Sequence, residues 1–161
     1  MKVAYTITIP KDKDAVMKMF CDPAYHAELQ KALGAVDFQQ LEHVDDGRKF
    51  RIKMGYNVPA AGLPGFAKKI LGEKSAVVQE ESWDRTTGKG EVTIQVKNLP
   101  GSIRSATVLT ESGGTSTKTF NWEVTVKIPL VGGKLEELIV NDIKAKVEPE
   151  QATARRAIAR Y

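Results

Sequence analysis

Three residues of this chain have side chains that could bind a transition metal or attack a substrate: Cys21, His26 and His43. They supply three ligands at most, and they fall on two different predicted elements without the spacing typical of zinc sites. Cys21 ends an apolar helical stripe, where a cysteine usually serves as a small buried hydrophobic residue. We therefore expect no metal site and no catalytic residue among the three.

Nucleotide- and nucleic-acid-binding patterns are also missing from the sequence. It contains no GxGxxG, no Walker A loop and no GxSxG nucleophile motif. Its basic residues are not interleaved with aromatic ones as they are in nucleic-acid-binding modules. We therefore expect neither a cofactor nor a nucleic-acid partner.

An enzyme of the cyclase or hydrolase type would need polar side chains that face a cavity, to polarise a carbonyl or to move a proton. The candidates on predicted strands are Tyr56, Glu80 and Arg104. For Glu80 and Arg104, a solvated position on a strand is the stronger interpretation.

Positive charge is concentrated between residues 48 and 74. This segment contains seven Lys or Arg residues and a single acid, Glu73, so it carries +6 while the whole chain carries +4. Such a segment attracts phosphate or carboxylate groups when its charges share one surface. A solvated strand face followed by an exposed loop is the stronger interpretation.

Length and composition predict one domain that spans residues 1–161, with 42% hydrophobic and 27% charged residues. No run of eighteen apolar residues occurs, and polar residues interrupt the first fifteen, so neither a membrane span nor a signal peptide is expected. The single cysteine excludes an internal disulfide and suits a reducing compartment. We expect a cytoplasmic protein.

Alternation of apolar and polar residues dominates the middle of the chain and predicts seven strands. It is clearest near the end of that region, where one residue in two is apolar: Phe120, Trp122, Val124, Val126 and Ile128. Short turns such as Asp45-Asp46-Gly47 separate neighbouring runs. Because parallel pairing needs long crossovers, these short connections predict an antiparallel sheet.

Two short helices are predicted between the first and second strands. Asp12 is placed to cap residues 13–20, and Asp22-Pro23 is a strong start for a second helix. That second helix is expected to run to about Leu33 and to end before Gly34.

The C-terminal region changes its hydrophobic period from two to four. Leu135, Ile139, Ile143 and Val147 recur at every fourth residue, and Ala154, Ile158 and Tyr161 continue the stripe. This predicts one long helix over residues 134–160 that lies along the sheet and kinks about one turn before Pro149. Gly132 and Gly133 are expected to supply backbone freedom for the turn into it.

Residues 59–72 join two strands by a longer connection than a hairpin needs, and such loops are usually functional or mobile. Leu63, Phe66 and Ile70 form an apolar side at helical spacing, and Lys68 and Lys69 lie opposite. We predict that the apolar side plugs a cavity mouth while the lysines contact an anionic head group, with transient contact to a membrane surface. The alternative is a short surface helix packed on the sheet edge.

The order of these elements resembles the START-like, birch-pollen-allergen-like superfamily, also called SRPBCC. Two segments, Cys21-Asp22-Pro23-Ala24-Tyr25 and Ile128-Pro129-Leu130-Val131-Gly132-Gly133-Lys134-Leu135-Glu136, resemble an actinobacterial family of unknown function within it. The resemblance covers nearly the whole chain. It implies an α+β helix-grip fold, in which a seven-stranded bent antiparallel sheet wraps around a long C-terminal helix, and a cavity between the two. It implies no catalytic residue.

Our leading functional hypothesis is non-catalytic binding or carrying of a hydrophobic small molecule, lipid-like or polycyclic, in that cavity. An enzyme of the cyclase or hydrolase type in the same cavity, and a filled-core scaffold or partner-binding domain, are the alternatives. The oligomeric state is left open. The predicted ligand-binding residues are Tyr56, Leu63, Phe66, Ile70, Phe120, Trp122, Val124, Ile139 and Ile143.

Overall fold

The computed structural model describes residues 1–161. The chain forms seven strands and five helices, followed by a short 3-10 turn over Ile158–Arg160. In chain order the elements are β1 Lys2–Ile9, α1 Lys13–Phe20, α2 Pro23–Ala32, β2 Val36–Asp45, β3 Lys49–Pro59, α3 Gly65–Leu71, β4 Lys74–Asp84, β5 Lys89–Val96, β6 Gly101–Ser112, β7 Thr115–Val126, α4 Gly132–Ala145 and α5 Val147–Ala157.

All seven strands belong to one antiparallel sheet, in the order β1-β7-β6-β5-β4-β3-β2. Each strand from β2 to β7 pairs with its neighbour in sequence, as the short turns predicted, and β1 closes the other side against β7. The helices α1 and α2 carry the chain from the β1 edge to the β2 edge. The predicted helix-grip fold is therefore confirmed.

The two short helices begin where their capping residues predicted. The Asp12 side chain accepts a hydrogen bond from the Ala15 amide at 3.1 Å, and the Asp22 side chain accepts one from the Ala24 amide at 2.9 Å. Pro23 occupies the first turn of α2, where its missing N–H leaves no bond unmade. These caps stabilise the first turns of α1 and α2.

The inner face of β7 is buried as the alternation predicted, with Phe120, Trp122, Val124 and Val126 all nearly inaccessible. The stripe of the C-terminal helix is only partly as predicted. Leu135 and Ile143 are buried in α4, whereas Ile139 and Val147 are only partly buried and pack at the margin of the core. Ile139 is only partly buried because it faces a space beneath α4 that protein atoms do not fill.

The C-terminal helix bends three residues before Pro149, close to the predicted kink. Helix α4 ends at Ala145 and α5 begins at Val147, so Lys146 lies at the break. Proline has no amide hydrogen to bond the carbonyl four residues earlier, which weakens the helix at this point. Residues beyond Pro149 stay helical, and Ala154 and Ile158 are buried as the continued stripe predicted.

The two glycines of the final connection act differently from the prediction. Neither has a positive φ, and the residue with the left-handed backbone in this connection is Leu130, at φ 71°. Gly132 is the first residue of α4, and a Cβ there would lie 2.6 Å from the Val126 carbonyl oxygen. Gly132 is therefore needed for the close approach of helix and strand rather than for backbone freedom.

Candidate ligand-binding cavity

A cavity of about 250 Å³ lies between the inner face of the sheet and α4. Strands β3 to β6 form its floor, α4 its roof, and the 59–72 segment one of its ends. Fourteen of its eighteen lining residues are hydrophobic, because alternate residues of the strands and one stripe of the helix face the same space. We call this volume the outer chamber. Its apolar lining includes Val58, Leu63, Val77, Ile94, Val96, Leu99, Leu135, Leu138 and Ile139.

A second volume of about 90 Å³ adjoins the outer chamber and is much more polar. The two share Tyr56, Ile94, Asp142, Ile143 and Lys146 in their linings. We call this second volume the inner chamber. Its other lining residues include Tyr5, Gln30, Gln79, Glu81, Lys118, Phe120, Trp122 and Glu150.

Six of the nine predicted ligand-binding residues line these chambers. Leu63 and Ile139 lie in the outer chamber, Phe120 and Trp122 in the inner chamber, and Tyr56 and Ile143 in both.

The other three predicted residues lie elsewhere. Val124 is fully buried in the main core. Phe66 and Ile70 of α3 pack on a small apolar cluster centred on Ala67, Val126 and Leu135. They contact the outer side of this cluster and do not line the outer chamber, whereas Leu135 of the same cluster does.

The exposed charges singled out from the sequence do not enter the cavity. Lys68 and Lys69 are exposed on α3. Glu80 lies 3.7 Å from Arg51, and Arg104 lies 3.6 Å from Glu91, in pairs that remain accessible to solvent. Glu80 and Arg104 are therefore not candidates for chemistry inside the cavity, and of the three polar candidates only Tyr56 faces it.

The inner chamber contains a buried charge cluster that the sequence analysis did not single out. Lys118 Nζ lies 3.2 Å from Glu81 Oε1 and 3.8 Å from Glu150 Oε1, and all three side chains are less than 10% exposed. Trp83 Nε1 also donates a hydrogen bond to Glu81 Oε1, at 3.0 Å. The Lys118 ammonium lies 4.3 Å from the centre of the Phe120 ring, a favourable position for a cation.

The pKa values of the two carboxyl groups in this cluster are shifted in opposite directions. Burial opposes ionisation of Glu81, but Lys118 and the hydrogen bond from Trp83 outweigh it, so the pKa of Glu81 lies below its usual range. Burial raises the pKa of Glu150 to about 6, because the more distant Lys118 offsets only part of the lost hydration and Glu81 adds repulsion. Glu81 is therefore the fixed counter-ion of Lys118, and Glu150 is the group that titrates.

His26 and Tyr5 complete the cluster as neutral groups. Burial lowers the pKa of His26, although the nearby Glu81 opposes this. His26 Nε2 lies 2.7 Å from the Phe20 carbonyl oxygen, which can only accept, so the proton resides on Nε2. Burial and the Glu150 carboxylate raise the pKa of Tyr5, whose hydroxyl donates to Glu150 Oε2 at 3.4 Å.

A signal for the cluster was present in the sequence. Glu81 has the same strand parity as the buried Trp83, and Lys118 has the same parity as Phe120, so both had to face inward with their apolar neighbours. Glu150 precedes Ala154 by four residues and so lies on the stripe of the final helix. Glu80, the neighbouring candidate on the same strand, has the opposite parity.

Comparison with known proteins identifies the family of the chain. The model of the family described as "Protein of unknown function (DUF2505)" matches residues 4–158. The chain belongs to this family. Uncharacterised proteins of Mycobacterium tuberculosis and Mycobacterium bovis are 31% identical to it over 147 residues, which cover 79% of this chain and 81% of each relative.

Solved structures of several other proteins share the fold of this DUF2505 chain. It aligns with the Zhui aromatase/cyclase from Streptomyces sp. R1128 at a TM-score of 0.72 and 12% identity, over 99% of this chain and 94% of that one. A START superfamily protein from Mycobacterium smegmatis aligns at 0.61 and 12% identity, over 97% and 98% of the two chains. Ara h 8.0201 aligns at a TM-score of 0.58 and 11% identity, over 96% of this chain and 97% of that one. The likeness concerns the fold.

Proposed function

We propose that the protein binds a hydrophobic small molecule, without covalent chemistry, in the two chambers under α4. The observation that carries the proposal is the outer chamber. Protein interiors are normally packed with few voids larger than a water molecule, yet about 250 Å³ of apolar space lies here. Together with the inner chamber of about 90 Å³, this volume falls at the lower end of the range of roughly 300–1,000 Å³ that is usual for small-molecule sites.

The lining also suits the proposed ligand. The outer chamber is lined mainly by aliphatic side chains and offers an apolar ligand burial worth about 25 cal/mol for each Å² removed from water. Polar groups converge at one end only, which fixes an orientation for the ligand. A scaffold domain with a filled core would be expected to pack side chains into this space instead.

Filling the outer chamber tests this proposal. Replacement of Ile139 by tryptophan puts an indole into the chamber, because Ile139 lines it and is only partly buried. We expect saturable binding of 2-methoxynaphthalene to the wild-type protein and at least about tenfold weaker binding to I139W, which corresponds to about 1.4 kcal/mol. Fluorescence titration measures both affinities.

The matched control is N141W, two residues away on the same helix, because Asn141 is exposed and lines neither chamber. N141W should bind the probe like the wild-type protein. Absence of saturable binding to the wild type, or equal affinities for all three proteins, would contradict the proposal. Native mass spectrometry of protein purified from its own host then identifies the natural ligand.

We further propose that the α3 end of the molecule contacts an anionic membrane surface when ligand is exchanged. Lys68 and Lys69 are exposed on α3, and Lys134 Nζ lies 5.8 Å from the centre of the Phe66 ring. Leu130, in the adjoining connection, is fully exposed. No helix of the chain is long and apolar enough to cross a bilayer. Exposed lysines around an exposed leucine are the pattern of surface binding.

Charge reversal on α3 tests the membrane contact. The double variant K68E/K69E should lose most of its binding to vesicles that contain phosphatidylserine, and the difference from wild type should fade at high salt because screening weakens exposed charges. Replacement of Phe66 by serine should weaken binding equally at both salt concentrations, since it removes apolar area rather than charge. Vesicle co-sedimentation measures both effects.

The variant K18E/K31E provides the control, because Lys18 and Lys31 are exposed on α1 and α2 and their replacement changes the net charge by the same amount. Equal loss of vesicle binding by both double variants would show that overall charge, and not α3, is responsible.

A second candidate function, an enzyme acting in the same cavity, is favoured by Glu150. A carboxyl group with a pKa of about 6 beside a bound ligand is suited to proton transfer near neutral pH. Mass spectrometry of the ligand after incubation with the protein in D₂O separates the two functions. A carrier leaves the ligand unchanged, whereas an acid–base enzyme changes its mass or exchanges its carbon-bound hydrogen.

A further inference from the structure

The charges of the inner chamber leave no cation free for an anionic ligand. Lys118 is its one buried cation and lies between Glu81 and Glu150, so the buried groups hold two carboxyls against one ammonium. Asp142 and Lys146, at the boundary with the outer chamber, form a pair of their own at 2.7 Å. Tyr5 and His26 are neutral. A carboxylate entering this chamber meets net negative charge where little water screens it.

The hydrogen-bonding capacity of the chamber is nevertheless incomplete. Trp122 Nε1–H is buried and makes no hydrogen bond of ordinary length, and the acceptor beside it is the Tyr5 hydroxyl. Both oxygens of Glu150 have only long contacts, 3.4 Å to the Tyr5 hydroxyl and 3.8 Å to Lys118 Nζ. Hydrogen bonds to a carboxylate normally measure about 2.5–2.9 Å, so Glu150 can accept a further, shorter bond. Buried polar groups without partners are rare and call for an explanation.

We infer that the inner chamber is a subsite for the uncharged hydroxyl group of an otherwise apolar ligand. A hydroxyl is a small neutral group that can accept a hydrogen bond from Trp122 and donate one to Glu150 at the same time. An ether or ketone leaves Glu150 without its donor, and a carboxylate is repelled by Glu150 and Glu81. The inference rests on the proposed binding function and defines the class of ligand, a hydroxylated hydrophobic molecule such as a phenol or an alcohol.

Three probes with the same ring system test it: 2-naphthol, 2-methoxynaphthalene and 2-naphthoate, titrated at pH 7.5. A hydrogen bond to an ionised group is worth roughly a factor of ten or more in affinity. We expect 2-naphthol to bind about tenfold tighter than its methyl ether, and at least tenfold tighter than the carboxylate. The affinity of the ether reflects mainly burial of its apolar rings, because it cannot donate a hydrogen bond to Glu150. Ether binding therefore tests the proposed binding function independently of the hydroxyl subsite.

Two variants connect these preferences to the named residues. E150Q should reduce the ratio of the affinities for 2-naphthol and its methyl ether, because the hydroxyl then donates to a neutral amide oxygen. It should also raise the affinity for 2-naphthoate about tenfold, because it removes a negative charge and keeps the shape of the side chain. W122F should weaken naphthol and ether to a similar extent, since both accept from Trp122. Thermal melting confirms that each variant is folded.

Naphthoate binding the wild type as tightly as naphthol, or a naphthol-to-ether ratio unchanged by E150Q, would overturn the inference while leaving the binding function intact. Failure of all three probes to bind would overturn both.

Discussion

Replacement of Lys118 by methionine is expected to lower the free energy of unfolding by about 3–5 kcal/mol at pH 7.5. The methionine fills a similar volume, but it leaves Glu81 and Glu150 buried with no counter-ion, and Glu81 is only 3% exposed. Urea denaturation of both proteins measures the loss. The triple variant K118M/E81Q/E150Q should recover most of it, because no uncompensated charge then remains.

This loss should depend on pH in a defined direction. In the wild-type protein the pKa of Glu81 is depressed, so its contribution to stability is present above the ordinary carboxyl pKa and is lost as the pH falls through the folded value. In K118M the ammonium that holds the carboxyls ionised is absent, so both carboxyls are easier to protonate in the folded state. At low pH they become uncharged, and the variant regains its lost free energy of unfolding. The difference between the two proteins should therefore shrink below about pH 4.5. The exposed Lys127 provides the control, and K127M should cost less than about 0.5 kcal/mol.

Replacement of Glu150 by glutamine is expected to have the opposite effect and to stabilise the protein by about 2 kcal/mol at pH 7.5. The pKa of Glu150 is raised from 4.5 to about 6 in the folded state. The folded protein therefore binds the proton more tightly than the unfolded chain does. The contribution of this proton to the free energy of unfolding is fully present below pH 4.5. It decreases as the pH rises through that value and is lost above about pH 6. A difference of one pKa unit is worth 1.36 kcal/mol, which gives the expected magnitude.

Urea denaturation at pH 4 and pH 7.5 measures this effect, and E150Q should match the wild type at pH 4. Glutamine keeps the size of the side chain and still accepts a hydrogen bond from Tyr5. The control is E148Q, because Glu148 is exposed on the same helix and should leave the pH dependence unchanged. A loss of stability for E150Q at pH 7.5 would show that its ion pair with Lys118 outweighs the cost of burial.

Local patterns were sufficient to predict the framework of the molecule. The alternation around Phe120 and Trp122 indicated which face of β7 is buried, and Asp22-Pro23 marked the start of α2 to the residue. These features depend on residues close together in sequence, so the chain contains the necessary information within a few positions. The bend near Pro149 follows from the same kind of local rule.

The candidate site was less predictable because it is assembled from distant elements. Glu81, Lys118 and Glu150 come from β4, β7 and α5, and none of them has its buried counter-charge nearby in sequence. Strand parity placed Glu81 and Lys118 inward, but a buried charge becomes credible only when its counter-charge is known. Likewise, helical spacing grouped Phe66 with Leu63, although Leu63 precedes α3 and only Leu63 reaches the outer chamber.

The break at Lys146 divides the cover of the cavity into two parts that are held by different forces. Helix α5 carries Glu150 and is tied to β1 through polar bonds, from the Thr8 amide to Gln151 at 2.9 Å and from Arg155 to the Thr8 carbonyl at 2.9 Å. Helix α4 packs on the sheet through the apolar lining of the outer chamber, and its polar ties, from the Val126 amide and the Met1 amino group to Glu136, lie near its N-terminal end only. Directional bonds resist displacement, whereas apolar contacts permit sliding. For the proposed ligand site, this means that the polar end is held by directional bonds while the apolar cover can shift, so we expect ligands of different size to bind with the same polar contact.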